Sequence, residues 1–271
     1  MKYISIINSF YPNFSKSEKK IADYFLKEEG NISYMSLQEI TKNIKVSEAT
    51  IVRFVRKIGY KGFIDFKLDI AKNNSSMFLN NSDCYIENIM NNIFKTVSDT
   101  KELITKENID TAISYLEEAK HIYIFGLGAS GVAATEMENK FLRYGLLVTA
   151  ITDDHFQTMH AATTTKNDLI IAISLSGETR DLIYSLKIAK ENNCKILAIT
   201  NHALSSLSKL ADLTILTAGK ETPLDGGSLT AKISQLYIID ILTTGYAIKN
   251  RKKALANKEK IALSIASKNT F

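Results

Sequence analysis

The sequence predicts two domains of different class, an N-terminal all-α domain joined to an α/β/α sandwich with a five-stranded parallel sheet. The chain has 271 residues, which suits one large domain or two ordinary ones. Amphipathic helical patterns occupy roughly its first quarter, and further on continuous apolar runs alternate with helical patterns. With 45% hydrophobic and 23% charged residues, the composition excludes disordered, collagen-like and low-complexity classes.

Three or four short helices are expected in the N-terminal domain, the first three over about 15–29, 36–43 and 47–58. Ser15 or Ser17 can cap the first helix and Ser47 the third, because a side-chain oxygen at this position accepts a bond from a free backbone N–H. The second and third helices are separated by a three-residue turn. Residues expected to close the core behind them are Phe63, Phe66 and Leu68.

The third helix has a basic outward face, because its apolar residues recur at i, i+3, i+4 and i+7 and form one inward stripe. In a helix-turn-helix domain such a face meets DNA, and Arg53 can bond guanine through two nitrogens. Residues 1–75 hold 13 Lys and Arg against 8 Asp and Glu, which favours an anionic partner, nucleic acid before a membrane surface. A merely solvated basic face is the alternative. The expected DNA-binding residues are Ser47, Thr50, Arg53, Arg56, Lys57 and Lys61.

Asn73–Asp83 is rich in Asn and Ser and predicts a linker or loose hinge. Helical patterns resume at about 86–97 and 109–119. The expected boundaries are therefore 1–75 for a helix-turn-helix DNA-binding domain, 76–105 for a linker and connecting helix, 106–250 for the sandwich and 251–271 for a basic C-terminal tail.

Strands are expected where the apolar runs are continuous, because strands of a parallel sheet are covered on both faces. A long apolar helix from about Gly227 to Ile248 follows them and is either a buried core helix or part of a subunit interface. The expected strands are 121–125, 146–150, 169–173, 195–199 and 213–216. The interface candidates are Ile233, Leu236, Tyr237, Asp240, Ile241 and Thr244.

Two loops that follow strands carry the candidate binding site. Gly126-Leu-Gly-Ala-Ser-Gly131 fits G-x-G-x-x-G between a strand and a helix, as in dinucleotide sites, with Asp153 as a candidate for binding ribose. The same loop is also a general phosphate cradle, since backbone N–H groups and the positive helix end attract a phosphoryl group.

The second loop, Ser174-Leu-Ser-Gly-Glu-Thr179, favours a compact anion, because a dinucleotide needs no second hydroxyl-rich loop. The free N–H groups of Gly177, Glu178 and Thr179 are expected to point into the shared crevice. The alternative is a simple helix cap by Ser176. The expected ligand-binding residues are Gly128, Ser130, Ser174, Ser176, Gly177 and Thr179.

These loops resemble the sugar isomerase (SIS) phosphosugar-binding domain through Gly128-Ala-Ser130 and Ser174-Leu-Ser-Gly-Glu-Thr179. The N-terminal stretches resemble the helix-turn-helix of RpiR/MurR-type regulators. The resemblance spans about residues 1–250 and implies a bacterial transcription factor that senses a phosphorylated sugar. It also implies that the hydroxyls of Ser130, Ser174, Ser176 and Thr179 bind the sugar phosphate. The N-terminal stretches are Ser17-Glu-Lys-Lys-Ile-Ala-Asp-Tyr24, Val46-Ser-Glu-Ala-Thr-Ile-Val-Arg-Phe54 and Ile58-Gly-Tyr-Lys-Gly-Phe63.

The pocket is interpreted as a sensor and not as a catalytic site. A phosphosugar isomerase of this fold needs a carboxylate base and often a histidine. Glu221, Glu178, His155 and His160 are the candidates, and Glu221 lacks the histidine-glycine-proline surroundings of SIS isomerases. A SIS-type isomerase and, further off, a nicotinamide-dependent enzyme remain the alternatives. No cofactor and no metal site are expected.

The remaining features indicate a cytoplasmic protein. The N-terminus has too short an apolar region for a signal peptide, and no membrane span is indicated. Cys84 and Cys194 are too few for a disulfide framework or a zinc cage, so reduced thiols are expected. The expected partners are a double-stranded DNA operator, a phosphorylated sugar and further copies of the chain, as a homodimer or homotetramer.

Overall fold

A computed structural model of the chain describes residues 2–79, 85–221 and 228–267. The chain divides into two compact units. The first comprises residues up to Asn92 together with the segment 220–228, and the second comprises residues 93–219 and those from Leu229 onward. Over the described residues, no helix is both long and apolar enough to cross a membrane.

The first unit is helical, and three of its helices begin where serine side chains satisfy free backbone N–H groups. Ser15 and Ser36 each form a reciprocal capping box, with Glu18 and Glu39 respectively. Ser47 accepts a hydrogen bond from the Thr50 amide. The structure also has a helix over residues 2–10 that the sequence analysis did not predict. The helices are α1 (Lys2–Phe10), α2 (Lys16–Glu28), α3 (Leu37–Ile44), α4 (Glu48–Lys57) and α5 (Phe63–Leu79).

An aromatic cluster forms the core of this unit. Phe66 is fully buried and stacks on Phe25 with ring centres 5.0 Å apart. Phe54 of α4 meets Phe25 edge to face at 5.9 Å. The ring centre of Tyr3, a residue of α1, lies 5.4 Å from that of Phe66. Of the residues expected to close the core, Phe66 is central, Phe63 packs against its edge, and Leu68 is half-buried and outside the cluster.

The expected linker is partly wrong, because α5 continues as a helix to Leu79. Asn and Ser reduce helix propensity by only fractions of a kcal/mol each, and no glycine or proline interrupts the segment. The rest of that linker, 80–83, and Cys84 lie outside the described residues. The next helix, α6 (Tyr85–Leu103), continues from one unit into the other.

The second unit is built on a five-stranded parallel sheet with the order β2-β1-β3-β4-β5. The predicted strands are confirmed, although the second begins at Thr149 and not at Leu146. The Leu147 side chain just before it is 78% exposed, so burial does not draw that segment into the sheet. The strands are β1 (Ile122–Gly126), β2 (Thr149–Ile151), β3 (Leu169–Ile173), β4 (Lys195–Thr200) and β5 (Leu213–Leu216).

Helices cover both faces of this sheet, which gives the predicted α/β/α sandwich. One face packs against α7 (Lys106–Glu118), α8 (Ala129–Arg143) and α12 (Leu229–Lys249). The other packs against α9 (Asp154–Thr163), α10 (Arg180–Glu191) and α11 (Ser206–Leu210). The basic tail is helical over its described part, as α13 (Arg251–Ala266).

Candidate functional site

The two loops singled out in the sequence leave adjacent strands at the same edge of the sheet. Gly126, the last residue of β1, pairs with Ile173, the last residue of β3. From these ends the chain continues into α8 on one face of the sheet and into α10 on the other. This divergence between neighbouring strands opens a crevice at the carboxyl edge, where α/β sheets of this kind bind ligands.

The loop after β1 is shaped by close packing of its glycines. A Cβ atom on Gly126 would lie 2.4 Å from the Ser130 carbonyl oxygen, so only glycine lets the first turn of α8 approach the strand. Gly128 has a φ of +55°, which glycine adopts without strain. The start of α8 has no side-chain cap. The Ser130 and Gly131 N–H groups bond the Leu127 carbonyl at 3.1 and 3.3 Å. Among the described residues, the Ala129 N–H is therefore the one in this turn left for an anion.

Hydroxyl groups hold the loop after β3 in shape. The Ser174 Oγ atom accepts the Gly177 N–H at 3.1 Å and lies 3.1 Å from the Thr179 Oγ1 atom. The Ser176 Oγ atom accepts the Glu178 N–H at 3.2 Å. The expectation that the Gly177 and Glu178 amides are free is therefore wrong, because short serine side chains bond backbone groups two or three residues ahead.

The start of α10 nevertheless remains uncapped by a side chain. Thr179 lies just before it, and Ser176 is exposed beside it. Gly177 has a φ of +64°, and a Cβ atom there would lie 2.3 Å from the Ser205 Oγ atom. The loop therefore presents the Ser176 and Thr179 hydroxyls and the first N–H groups of α10. Its backbone conformation requires glycine at position 177.

Glu178, considered above as a base, has another role in the structure. Its carboxylate accepts the Ser206 N–H and the Ser206 hydroxyl, both at 2.8 Å. These bonds satisfy the first turn of α11, where a negative charge is also favoured by the helix dipole. Glu178 thus fastens the loop after β3 to α11.

Gln235 of α12 is a site residue that the sequence analysis missed. Its Nε2 atom donates to the Ser130 Oγ atom at 3.1 Å. The two residues are 105 positions apart in the chain, and Gln235 is only 2% exposed. An isolated glutamine in an apolar helix pattern carries no local signal of such a contact, although an amide that is buried must find a partner.

The other candidates lie away from the two loops or have structural roles. Asp153 caps α9 by accepting the Phe156 N–H at 3.0 Å. His160 packs on the Tyr123 ring at 4.9 Å between ring centres, and His155 is exposed at the start of α9. Glu221 lies in the segment that groups with the first unit.

In the first unit, α3 and α4 form the expected helix-turn-helix. Lys45 in the turn has a left-handed φ of 52°. Three polar side chains then line the outer surface of α4 at intervals of three residues: the Thr50 Oγ1 atom lies 2.8 Å from Ser47 Oγ and accepts a bond from Arg53 at 3.3 Å. Arg53 is exposed, so its guanidinium is presented at the surface of the helix.

The remaining basic residues of α4 are in different environments. Arg56 is exposed and donates through Nε to the Lys61 carbonyl at 3.2 Å. The Lys57 Nζ atom lies 2.9 Å from a Glu18 carboxylate oxygen and 5.4 Å from the centre of the Phe14 ring. Its positive charge is therefore partly balanced within the unit.

Comparison with known families supports both halves of this description. Residues 1–77 match a family described as "Helix-turn-helix domain, rpiR family", and residues 115–245 match the SIS domain family. An uncharacterized HTH-type transcriptional regulator from Haemophilus influenzae is 34% identical over 87% of this chain and 86% of its own. HexR, an HTH-type transcriptional regulator from Escherichia coli, is 30% identical over 96% of this chain and 93% of its own.

A solved structure also matches along nearly the whole chain. The Vibrio vulnificus NanR protein, complexed with ManNAc-6P, has a TM-score of 0.84 and 25% sequence identity. The match covers 97% of this chain and 98% of that one. Both the order of the two parts and their folds are thus shared.

Proposed function

Since the chain belongs to the rpiR family of helix-turn-helix transcriptional regulators with a SIS domain, we propose that it is a DNA-binding regulator of sugar metabolism whose SIS domain senses a phosphorylated sugar. The matched regulators come from bacteria, where DNA lies in the cytoplasm, and we propose the same location for this chain. Its partners are an operator and a phosphosugar effector.

The observation that carries the effector proposal is the pair of uncapped helix starts at adjacent strand ends. The starts of α8 and α10 lie on either side of one crevice and are flanked by serine and threonine hydroxyls. Amide and hydroxyl donors that converge on one point suit the oxygens of a phosphate monoester. The ligand-binding set proposed is Gly128, Ser130, Ser174, Ser176, Gly177 and Thr179.

Within this set the hydrogen bonds suggest a division of labour. Ser174 is buried, and its hydroxyl holds the Gly177 amide, so its main contribution is to the shape of the loop. Ser176 is exposed beside the uncapped start of α10. We assign direct phosphate contacts to Ser130, Ser176 and Thr179.

The DNA-binding proposal rests on the outer surface of α4. Arg53 projects from the helix that follows the turn and is braced by Thr50, so it is placed to read a base. Ser47, Arg56 and Lys61 would contact phosphates. Lys57 is retained in the proposed set, with a smaller contribution because it is paired with Glu18.

We propose a sensor and not a catalyst for the crevice. The carboxylate in the loop after β3, that of Glu178, is engaged by Ser206. Asp153, the candidate for the ribose of a nicotinamide cofactor, is engaged at the cap of α9. Both arrangements favour a binding role for the serine-rich loops.

A homodimer or homotetramer is part of the proposal, because regulators with a helix-turn-helix bind paired half-sites as dimers. The second unit has a groove of about 660 Å³ between α7 and α12. Its apolar floor includes Ile109 and Ile113. Four of the residues expected at a subunit interface line it, namely Tyr237, Asp240, Ile241 and Thr244.

The test is a thermal-shift screen of phosphorylated monosaccharides against the full-length protein. A sugar phosphate should raise the melting temperature, and Ser176→Ala should weaken its binding by about 1–3 kcal/mol, the contribution of a hydrogen bond to a charged group. Ser264→Ala, on the exposed surface of α13, is the matched control and should bind as the wild type does. Failure of every phosphorylated monosaccharide to stabilise the protein would contradict the effector proposal.

A further inference from the structure

The contact between Gln235 and Ser130 joins helix α12 to the loop after β1. The Gln235 amide nitrogen and the Ser130 hydroxyl oxygen are 3.1 Å apart, and the two residues are 2% and 9% exposed. Each of these groups has a fixed number of donors and acceptors. A bond from the buried amide therefore restricts where the hydroxyl hydrogen can point.

The direction of this bond follows from which atom of the Gln235 amide faces Ser130, and in the structure it is the nitrogen. The Gln235 amide nitrogen only donates, so the Ser130 oxygen is the acceptor. The Ser130 O–H must therefore donate elsewhere. Among the residues that the structure describes, none accepts a hydrogen bond from it, and Ser130 is the second residue of the uncapped helix α8. Its hydrogen is left for an acceptor in the crevice.

We propose that Gln235 is a positioning residue that holds Ser130 as a hydrogen-bond donor to the bound phosphate, and that it thereby makes α12 sensitive to whether the crevice is occupied. The inference rests on the proposed function, since it takes the ligand to be a phosphate monoester. Phosphate oxygens only accept in the dianion, so a serine locked as a donor favours them over a neutral hydroxyl group of a sugar.

The same helix links this contact to the groove proposed as a subunit interface. Gln235 is buried on the side of α12 that faces α8, whereas Tyr237 and Ile241 line the groove between α7 and α12. A shift of α12 that accompanies movement of the Gln235 amide would therefore change the shape of that groove. A ligand shifts such an equilibrium only if it binds the two arrangements with different affinity, and the bond to Ser130 is where such a difference would arise.

The first test is a double-mutant cycle on the full-length protein with inorganic phosphate as the probe, measured by isothermal titration calorimetry. Gln235→Met should weaken phosphate binding about five- to tenfold, and Ser130→Ala by about tenfold or more. In the Ser130→Ala background, Gln235→Met should cause no further loss. The matched control is Thr243→Val, which removes a buried hydroxyl of α12 that bonds only within its own helix.

The outcomes separate this inference from the proposed function. If Ser130→Ala binds phosphate as tightly as the wild type, the proposed phosphate cradle is wrong. If Ser130→Ala weakens binding but Gln235→Met costs the same in both backgrounds, Gln235 does not act through Ser130 and the inference is overturned. Melting temperatures of all variants identify any that lose binding through unfolding.

A second variant adds a pH readout that a merely structural role would not give. In Gln235→Glu the ionised carboxylate would accept the Ser130 hydrogen and add a negative charge near the crevice, so binding of sulfate should fall more than in Gln235→Met. Protonation at lower pH restores a neutral donor, and sulfate affinity should recover relative to the wild type. Sulfate keeps its charge over the range from about pH 5 to 8, so the probe itself does not titrate. Affinity ratios that stay constant with pH would contradict the proposal.

Discussion

The outer surface of α4 and the crevice between β1 and β3 are proposed to bind the same chemical group by opposite means. On α4 the proposed contacts are exposed basic side chains such as Arg53 and Arg56, spread along a convex helix. In the crevice they are backbone amides and hydroxyls such as that of Ser130, which is 9% exposed. No lysine or arginine is among the six residues proposed there.

The difference follows from the two ligands. DNA presents a long row of phosphates that long cationic side chains can reach, and releases counterions when they bind. A single phosphate monoester is better held by short, fixed donors at helix starts, because their dipoles are already oriented. Mobility is tolerable in the first region and harmful in the second. Three experiments would break or sharpen this comparison.

The largest effect is expected for Gly126→Ala in the crevice. The new Cβ atom would lie 2.4 Å from the Ser130 carbonyl oxygen, so the first turn of α8 must move. Phosphosugar affinity should fall about 100-fold or more, since two or more charge-assisted hydrogen bonds of about 1.5–3 kcal/mol each are lost. The free energy of unfolding should also fall by about 1–3 kcal/mol. Calorimetric titration and denaturant unfolding measure the two quantities.

Gly62→Ala is the matched control, because a Cβ atom there meets no atom within 4 Å. It should leave both quantities close to those of the wild type. Wild-type affinity in Gly126→Ala would show that the crevice does not depend on close packing and would remove the contrast with α4.

A smaller effect is expected for Arg53→Ala on α4. Loss of a two-nitrogen contact with a base should weaken operator binding by about 1–3 kcal/mol. Phosphosugar affinity should not change, because the residue lies in the first unit. Fluorescence anisotropy with labelled operator measures the effect, and Arg143→Ala, an exposed arginine of α8, serves as control. A loss of equal size in operator and phosphosugar binding would instead indicate misfolding.

The smallest effect separates two lysines of the first unit. Lys61 is exposed, whereas Lys57 is paired with Glu18 at 2.9 Å. Lys61→Ala should reduce the slope of log affinity against log salt by about 1, as expected for one lost phosphate contact. Lys57→Ala should change that slope less, because its charge is already partly balanced. Operator titrations at several salt concentrations measure both slopes, and equal changes would show that the ion pair opens on DNA.

Much of the fold could be predicted because its signals are local. The five apolar strands and the serine caps of α2 and α4 each occupy a few consecutive residues, and the structure confirms them. The predicted linker failed where a weak propensity signal met no glycine or proline, so that α5 continued. The predicted start of β2 was wrong because the segment before Thr149 does not join the sheet, and Leu147 in that segment is exposed.

The candidate site was predicted from two loops at the carboxyl ends of parallel strands, and the strand order observed in the structure places Gly126 beside Ile173. The partners of Glu178 and Ser130 could not be predicted. Ser206 is 28 residues from Glu178, and Gln235 is 105 residues from Ser130. Such pairs depend on how helices stack on the sheet, which hydrophobic periodicity does not specify.

The bonds between Glu178 and the start of α11 have a consequence for how tightly a small molecule can be held. The loop after β3 is held by Ser174 on one side and by Glu178 on the other, so it loses little conformational entropy when a small molecule binds. The entropic penalty of ordering it is therefore met during folding and not at each encounter. A binding loop arranged in this way loses little free energy to ordering, so a few contacts suffice to hold a small molecule.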